Sequence, residues 1–339
     1  MSTSGPSLAV VGAGAWGTTL ALLLSRSAAV TLLARDEAHA AALRSDEENK
    51  RHLPGVPLGD RVAVTSDLAA LASASELVVL AVPSRAMRAT VTSIAPAVSD
   101  DAVLLSVAKG IENDSLLRMT EVVVSALPDA AGRVAALSGP NLAPEISRGL
   151  PAAAVVAAAD DVVSGRAVDV LGGRTFRLYR NRDVVGVELA GALKNIVAIV
   201  AGAVEKLGAG DNAKAAITTR GLAEMTRLGV AMGGNPLTFA GLAGIGDILA
   251  TSTSGLSRNH RLGVELASGR SWSDIEGSLS GVAEGAYTVR AALALAQRHG
   301  IEMPIAREVH AVLHEGKDVR ASVVDLLSRE SRDELTGLA

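Results

Sequence analysis

From Ser7 to Ala158 the chain alternates short, nearly continuous apolar runs with stretches whose apolar residues recur at helical spacing. The runs are SLAVVG (Ser7–Gly12), AVTLLAR (Ala29–Arg35), ELVVLAVP (Glu76–Pro83), DAVLLSVAKG (Asp101–Gly110), RVAALSGP (Arg133–Pro140) and PAAAVVAA (Pro151–Ala158), with RTFRLYRN (Arg174–Asn181) as a last one. Runs of this length read as strands buried on both faces. The segments between them, such as Trp16–Arg26 and Ser115–Ala126, read as helices covering a parallel sheet. After Asp183 the strand-like runs stop. Val187–Leu207, Ala213–Met232, Arg261–Ser268, Ala283–His299 and Ile305–Glu315 read as helices, some separated by breaks such as GGNP and GLAGIGD. The pattern predicts an α/β domain and then an all-helical one, divided between 182 and 188 and taken as 1–184 and 185–339. The ends, Met1–Pro6 and about Ser331–Ala339, read as frayed.

Composition narrows the function classes. At 339 residues, 49% hydrophobic and 20% charged, the chain has material for two globular cores. A net charge of −4 without a basic block, and only 2% aromatics, argue against nucleic acid as a partner. The chain has no cysteine, which excludes disulfides, thiolate catalysis and Cys-ligated zinc. Its six histidines show no HExxH-type spacing, so no metal is expected. Nothing resembles a signal peptide, and no uninterrupted apolar run reaches about 20 residues. A cytoplasmic protein without a membrane span is the expectation.

GAGAWG sets Gly12, Gly14 and Gly17 in a GxGxxG pattern between a predicted strand and a predicted helix, the context a dinucleotide fold needs. Gly12 serves the tight turn, Gly14 the approach of a pyrophosphate, and Gly17 the packing of helix on sheet. The second strand ends in Arg35, which suits the 2′-phosphate of NADP, followed by Asp36, which keeps NAD open; ordinary solvated charges fit there too. Lys109, in SVAKGIE, stands beyond a strand end, where a solvated loop lysine is equally natural. SGPNLAPEI (Ser138–Ile146) leads through Gly139 and Asn141 into a helix, as a ligand site or as a structural turn.

VELAGALKNIVAIVAG (Val187–Gly202) sets one cation, Lys194, into an apolar helix. It either snorkels to solvent or is a lysine whose proton affinity burial has tuned. Farther on, Asp247 follows a glycine cluster, and Ser257, Arg258 and Asn259 stand just before a helix. That trio makes a phosphate clamp or a capping cluster. Glu284, between two glycines of GVAEGAYT, touches a cofactor or merely starts a helix.

In order, GAGAWG, SVAKGIE, SGPNLAPEI, ELAGALKNIVAI, AGIGDILAT, SRN and VAEG resemble the NAD(P)-dependent glycerol-3-phosphate dehydrogenases, and above all their bacterial biosynthetic branch. The resemblance runs from about Ser7 to Leu327, and ELAGALKN with GDILAT and SRN are its most specific parts. It implies a doubly wound, mainly parallel Rossmann domain followed by an all-α domain of the 6-phosphogluconate-dehydrogenase type, with catalysis in the cleft between them. It also implies Lys194 as general acid/base, with Asp247 and Lys109 as the other catalytic residues and Lys109 touching both cofactor and substrate. Gly139, Asn141, Ser257, Arg258 and Asn259 then line the substrate site together with Lys109, Lys194 and Asp247. Gly12, Gly14, Ala15, Trp16, Gly17, Arg35, Ala143, Arg258, Val282 and Glu284 hold the nicotinamide nucleotide. Asn195 and Thr251 are second-tier candidates. Two positions depart from the pattern: Asn141 replaces a Ser or Thr, and His260 replaces an arginine after SRN.

The implied reaction uses NADP(H) or NAD(H) to reduce a small phosphorylated triose, dihydroxyacetone phosphate, to sn-glycerol 3-phosphate for phospholipid synthesis, in a homodimer. The residue types suit it. A ketone reduction needs a hydride donor, a proton donor and an anion clamp. Burial and a second ammonium would bring a lysine from about 10.4 towards roughly 7–8. Two other readings stand beside it: another two-domain dehydrogenase acting on a 3-hydroxy acid or ketopantoate, and a non-catalytic dinucleotide-binding regulator.

Overall fold

A computed structural model describes residues 7–277 and 281–328; both ends expected to fray lie outside the described residues. The chain divides into two compact units. One takes in the chain up to Ala108 and then Met119–Val184; the other takes Lys109–Arg118 and the chain from Val185 on. A single cut at 184/185 therefore omits an excursion of the N-terminal segment into the helical unit.

The first unit holds an eight-stranded sheet: β1 (Leu8–Val11), β2 (Val30–Leu33), β3 (Val62–Thr65), β4 (Leu77–Leu80), β5 (Val103–Ser106), β6 (Val134–Ser138), β7 (Ala152–Ala157) and β8 (Phe176–Asn181). The spatial order is 3-2-1-4-5-6-7-8, so the winding reverses between β1 and β4. Ligands bind at such switch points, beyond the carboxyl ends of the strands. Neighbouring strands are parallel except β6 and β7, which are antiparallel with Leu137 opposite Val156. Helices α1 (Ala15–Leu24), α2 (Glu37–Asp46), α3 (Met87–Ile94), α4 (Met119–Ala126), α5 (Ala143–Ser147) and α6 (Asp161–Leu171) accompany it. Every residue of β1, β4 and β5 is buried, as sheets covered on both faces require. Leu8, Val10, Leu20, Leu32, Val79, Leu105 and Phe176 belong to one core, and each such side chain contributes about 1.5–3 kcal/mol by leaving water.

Local deviations from the sequence pattern have physical causes. β3 is a short strand with two half-exposed residues and one exposed, so its apolar signal is weak. The strand expected to reach Gly110 ends at Ser106, and the helix expected from Ser115 begins at Met119. Between them Ile111 and Arg118 pair in an antiparallel bridge that closes a small hairpin.

The second unit is helical: α7 (Val184–Lys206), α8 (Asp211–Ala231), α9 (Pro236–Phe239), α10 (Asp247–Thr253), α11 (Arg258–Ala267), α12 (Trp272–Glu276), α13 (Glu284–His299), α14 (Pro304–His314) and α15 (Val319–Leu327). α7 is buried without a break from Gly186 to Val204. Its mean hydropathy of 1.8 would suit a membrane span, yet 89% of that window is buried inside the protein, which makes it a core helix. Gly202 and Gly263 let the backbones of α7 and α11 touch: an added Cβ would lie 2.1 Å from the His260 carbonyl oxygen or 1.9 Å from that of Ile199. α11 starts earlier than the pattern predicts, because Ser257 caps it and Arg258 opens its first turn.

Candidate active site

The first unit offers a dinucleotide cradle built from backbone. Gly12 has φ +108°, and a Cβ there would stand 2.7 Å from the carbonyl oxygen of Ala81. A Cβ at Gly17 would stand 1.9 Å from the carbonyl oxygen of Gly12, so this glycine is what lets α1 reach the turn. At Gly14 a Cβ would meet nothing within 4 Å, which leaves the approach to the helix start open. No side chain caps α1, and its first-turn N–H groups, Ala15 and Trp16 among them, face the direction in which helices hold phosphate. These features fit a pyrophosphate. The Trp16 indole packs edge-on against Phe176, with centroids 6.0 Å apart, and its Nε1 is buried with no partner among the described residues. The Trp16 side chain thus serves the core, while its backbone N–H lies in the cradle. Asn49, unannounced by its charged surroundings, donates to the Ala13 carbonyl at 3.0 Å and to Thr18 Oγ1 at 2.7 Å, fixing the glycine loop from behind.

At the end of β2, Arg35 is exposed and its Nε meets Asp36 Oδ2 at 3.0 Å. Asp36 Oδ1 accepts the His39 N–H at 2.8 Å and so caps α2. At the end of β6, Gly139 has φ +136° and leads to Asn141, whose amide nitrogen and oxygen are both buried without a partner among the described residues. Two orphaned atoms on one amide are the mark of a missing ligand or water. Ala143 opens α5, and its carbonyl accepts from Thr19 Oγ1 on α1 at 3.4 Å.

The helical unit carries a network of side chains. Asp247 opens α10 directly after a single π-helical turn, Leu242–Gly246, a deformation often found at functional sites. Each of its oxygens meets one ammonium: Oδ2 lies 2.5 Å from Lys109 Nζ and Oδ1 3.0 Å from Lys194 Nζ. Lys194 also donates to Thr251 Oγ1 at 2.5 Å, and Thr251 donates to Asp247 Oδ1 at 3.0 Å, one turn along α10. Lys194 is therefore no snorkelling surface lysine. Burial pushes its pKa down from 10.5 to about 8; Asp247 opposes that shift and Lys109 adds to it. Burial would raise the Asp247 carboxyl, but the Lys109 and Lys194 ammoniums outweigh it and hold it below the usual carboxylate range.

A second chain of contacts is made of amides. Asn195 Nδ2 donates to the Lys109 carbonyl at 3.4 Å, and its Oδ1 accepts from Asn259 Nδ2 at 2.8 Å. Asn259 Oδ1 accepts from the Gly285 N–H at 3.0 Å, in the first turn of α13 beside Glu284. Both ends of the Asn259 side chain are thus engaged within the protein. Ser257 Oγ accepts the His260 N–H at 3.2 Å. Arg258 is exposed and makes no hydrogen bond or ion pair among the described residues; a Cβ on Gly281 would lie 2.8 Å from its Nη1. Val282 follows that glycine and Glu284 opens α13, both half-buried. His260 is buried, with Nε2 3.4 Å from Glu205, so its ring is directed at α7.

The helical unit therefore joins Lys109, Lys194, Asp247, Thr251, Asn195 and Asn259 by direct bonds. Of the other cofactor candidates, Gly12, Gly14, Ala15, Trp16, Gly17, Arg35 and Ala143 stand at or just beyond three strand ends of the first unit, while Arg258, Val282 and Glu284 belong to the helical unit. A pair that sequence reasoning missed is Arg118, half-buried, and Glu188, buried, 2.6 Å apart. No spacing links them, because they lie on different elements.

Comparison with known proteins adds independent findings. Residues 7–163 match the family described as NAD-dependent glycerol-3-phosphate dehydrogenase N-terminus, and residues 183–324 match the corresponding C-terminus. A glycerol-3-phosphate dehydrogenase [NAD(P)+] of Moorella thermoacetica is 47% identical over 97% of this chain and 98% of its own length. The crystal structure of a glycerol-3-phosphate dehydrogenase from Coxiella burnetii superposes with TM-score 0.90 at 37% identity, covering 96% of this chain and 99% of that one. A ketopantoate reductase from Ralstonia eutropha shares the fold at TM-score 0.52 and 16% identity, over 95% of this chain and 99% of its own.

Proposed function

The chain belongs to the NAD-dependent glycerol-3-phosphate dehydrogenase family, and on that premise we propose that it interconverts dihydroxyacetone phosphate and sn-glycerol 3-phosphate with NAD(P)H, supplying the product for phospholipid synthesis. The observation that carries this reading is the buried Lys194, which shares one carboxylate with Lys109 and has a pKa of about 8.

Bound NAD(P)H supplies the hydride that reduces C2 of the ketone. Lys194 gives its Nζ proton to the C2 oxygen as the alkoxide develops. In the reverse direction the neutral amine takes the hydroxyl proton. A group titrating near 8 serves both directions, because neither form is scarce close to neutrality. Asp247 and Thr251 hold the amine in place, and Lys109 brings a second positive charge to the growing oxyanion. Arg258, attracted by the Glu284 carboxylate but without a hydrogen bond among the described residues, takes the substrate phosphate as a planar fork. Asn141, orphaned at both amide atoms, offers a donor and an acceptor to a ligand at the β6 end of the first unit.

The family match and the 47% identical relative favour the phosphorylated substrate, while the ketopantoate reductase shares only the fold, and the lysines Lys109 and Lys194 speak against a non-catalytic regulator. NADPH oxidation with dihydroxyacetone phosphate beside unphosphorylated dihydroxyacetone tests the assignment. Turnover should require the phosphate; equal turnover of the two would overturn it. A cytoplasmic homodimer completes the reading, and light scattering that gives the mass of one chain would remove the dimer from it.

A further inference from the structure

We propose that Arg118 and Glu188 form a buried clamp whose task is to hold the Lys109 ammonium on Asp247, so that both are positioning residues for the site. The proposal rests on the reading of Lys109 given above. Lys109–Arg118 is the stretch in which the N-terminal segment joins the helical unit. It is a self-contained hairpin: Ile111 bridges Arg118, the Glu112 N–H donates to the Leu117 carbonyl at 3.0 Å, and the Leu116 N–H returns to Glu112 at 2.8 Å. Leu116 sits at φ +62°, a left-handed conformation that costs a branched side chain energy and must be held by its surroundings.

Three polar contacts tie this hairpin to the helical unit. At one end Lys109 meets Asp247 through its ammonium and Asn195 through its carbonyl. At the other, Arg118 Nη1 lies 2.6 Å from Glu188 Oε2, with side-chain exposures of 12% and 5%. Glu188 and Asn195 are two turns apart on α7 and thus on one face of it, so the hairpin is fastened at two heights of the helix that bears Lys194. The bridge between Ile111 and Arg118 makes the clamp short, since it brings Arg118 within two residues of Lys109 in the ladder. A buried ion pair is a poor means of adding stability, because desolvation offsets most of its attraction. What it supplies is a fixed geometry, and here the fixed object is the backbone that carries Lys109.

A double-mutant cycle tests this. Glu188→Gln keeps the size and removes the charge; with Lys109 intact it should lower kcat/KM for dihydroxyacetone phosphate by about 10- to 100-fold, the cost of a catalytic group displaced by an ångström or so. In a Lys109→Met background the same change should cost less than about 3-fold, because the clamped group is gone. Arg118→Lys, which retains one ion pair, should recover most of the activity that Arg118→Met loses. Additive losses, or no rescue by lysine, would overturn the clamp while leaving the role of Lys109 intact. Wild-type activity of Lys109→Met alone would instead overturn the reading beneath it, and the clamp with it. Should Glu188→Gln fail to fold, Glu188→Asp enters the same cycle with the same criteria.

Discussion

The two units do their work with different atoms. In the first, the proposed cofactor site is made of backbone: a glycine at φ +108°, a second at which an added Cβ would stand 1.9 Å from a carbonyl oxygen, and an uncapped helix start. In the second, the candidate site is made of side-chain charge, with one carboxylate between two ammoniums brought from residues 138 apart in sequence and from α7. A backbone site tolerates any side chain that leaves the turn alone. A charge network tolerates almost none, because removing one member strands the others in a medium that does not solvate them.

The largest effect should follow from breaking the network at its centre. Lys194→Met removes the proposed proton donor while preserving length and apolar bulk, and kcat should fall by about 10²–10⁴. NADPH binding, followed by fluorescence titration, should stay within about 2-fold, since the cradle contributes none of the lost atoms. A variant that binds NADPH and turns over at wild-type rate would remove Lys194 from the chemistry.

Next comes the substrate's phosphate. Arg258→Lys exchanges a planar fork for a point charge, leaving part of a dianion unpaired at a cost of about 2 kcal/mol or more, so kcat/KM for dihydroxyacetone phosphate should drop by roughly 30-fold. Dihydroxyacetone itself should hardly notice. Equal losses for both substrates would mean that Arg258 serves the cofactor or the fold, and that the phosphate is held elsewhere.

The same contrast explains what the sequence made legible. The glycine cradle was readable because its atoms lie within six residues between a strand and a helix, and local spacing states the geometry. Lys194 drew notice as the lone cation of an apolar helix, and the helical unit confirms it as buried. The family pattern named Asp247, Lys109 and Lys194, but not that the two lysines share the Asp247 carboxylate, which depends on a fold bringing distant positions together. Arg118 and Glu188 stayed invisible for that reason, and so did Asn49, set in a run of charged residues that reads as solvated loop. β3 and the antiparallel turn into β7 were missed because pairing partners, not strand composition, decide them.

A third difference between the units is their response to pH. With Lys194 at about 8, ketone reduction needs the protonated form and should fall tenfold per unit above that value, while alcohol oxidation should fall tenfold per unit below it. NADPH binding involves no group of this kind and should be flat over the same range. Lys109→Met removes a like charge that lowers Lys194, so the surviving activity should show its limb moved to higher pH. An unmoved limb would show that the observed ionisation belongs to another group.

The smallest expected effect tests the one place where the first unit also uses a side-chain charge. Asp36 is the residue that would accept a ribose hydroxyl, but both of its oxygens are engaged: Oδ1 takes the His39 N–H that starts α2, and Oδ2 takes Arg35 Nε. These contacts hold its carboxyl below the usual range, the His39 backbone bond first and Arg35 second. A ribose hydroxyl would have to share these oxygens, each of which keeps one further acceptor site. Arg35 uses only Nε, so its two terminal nitrogens remain for a 2′-phosphate. Its side chain is 83% exposed, and water and salt will screen the attraction, so Arg35→Ala should weaken NADPH by only about 10-fold and NADH by less than about 2-fold. The NADPH effect should shrink as ionic strength rises. Equal losses for the two cofactors would assign Arg35 to the adenine, and a loss confined to NADH would return the ribose to Asp36.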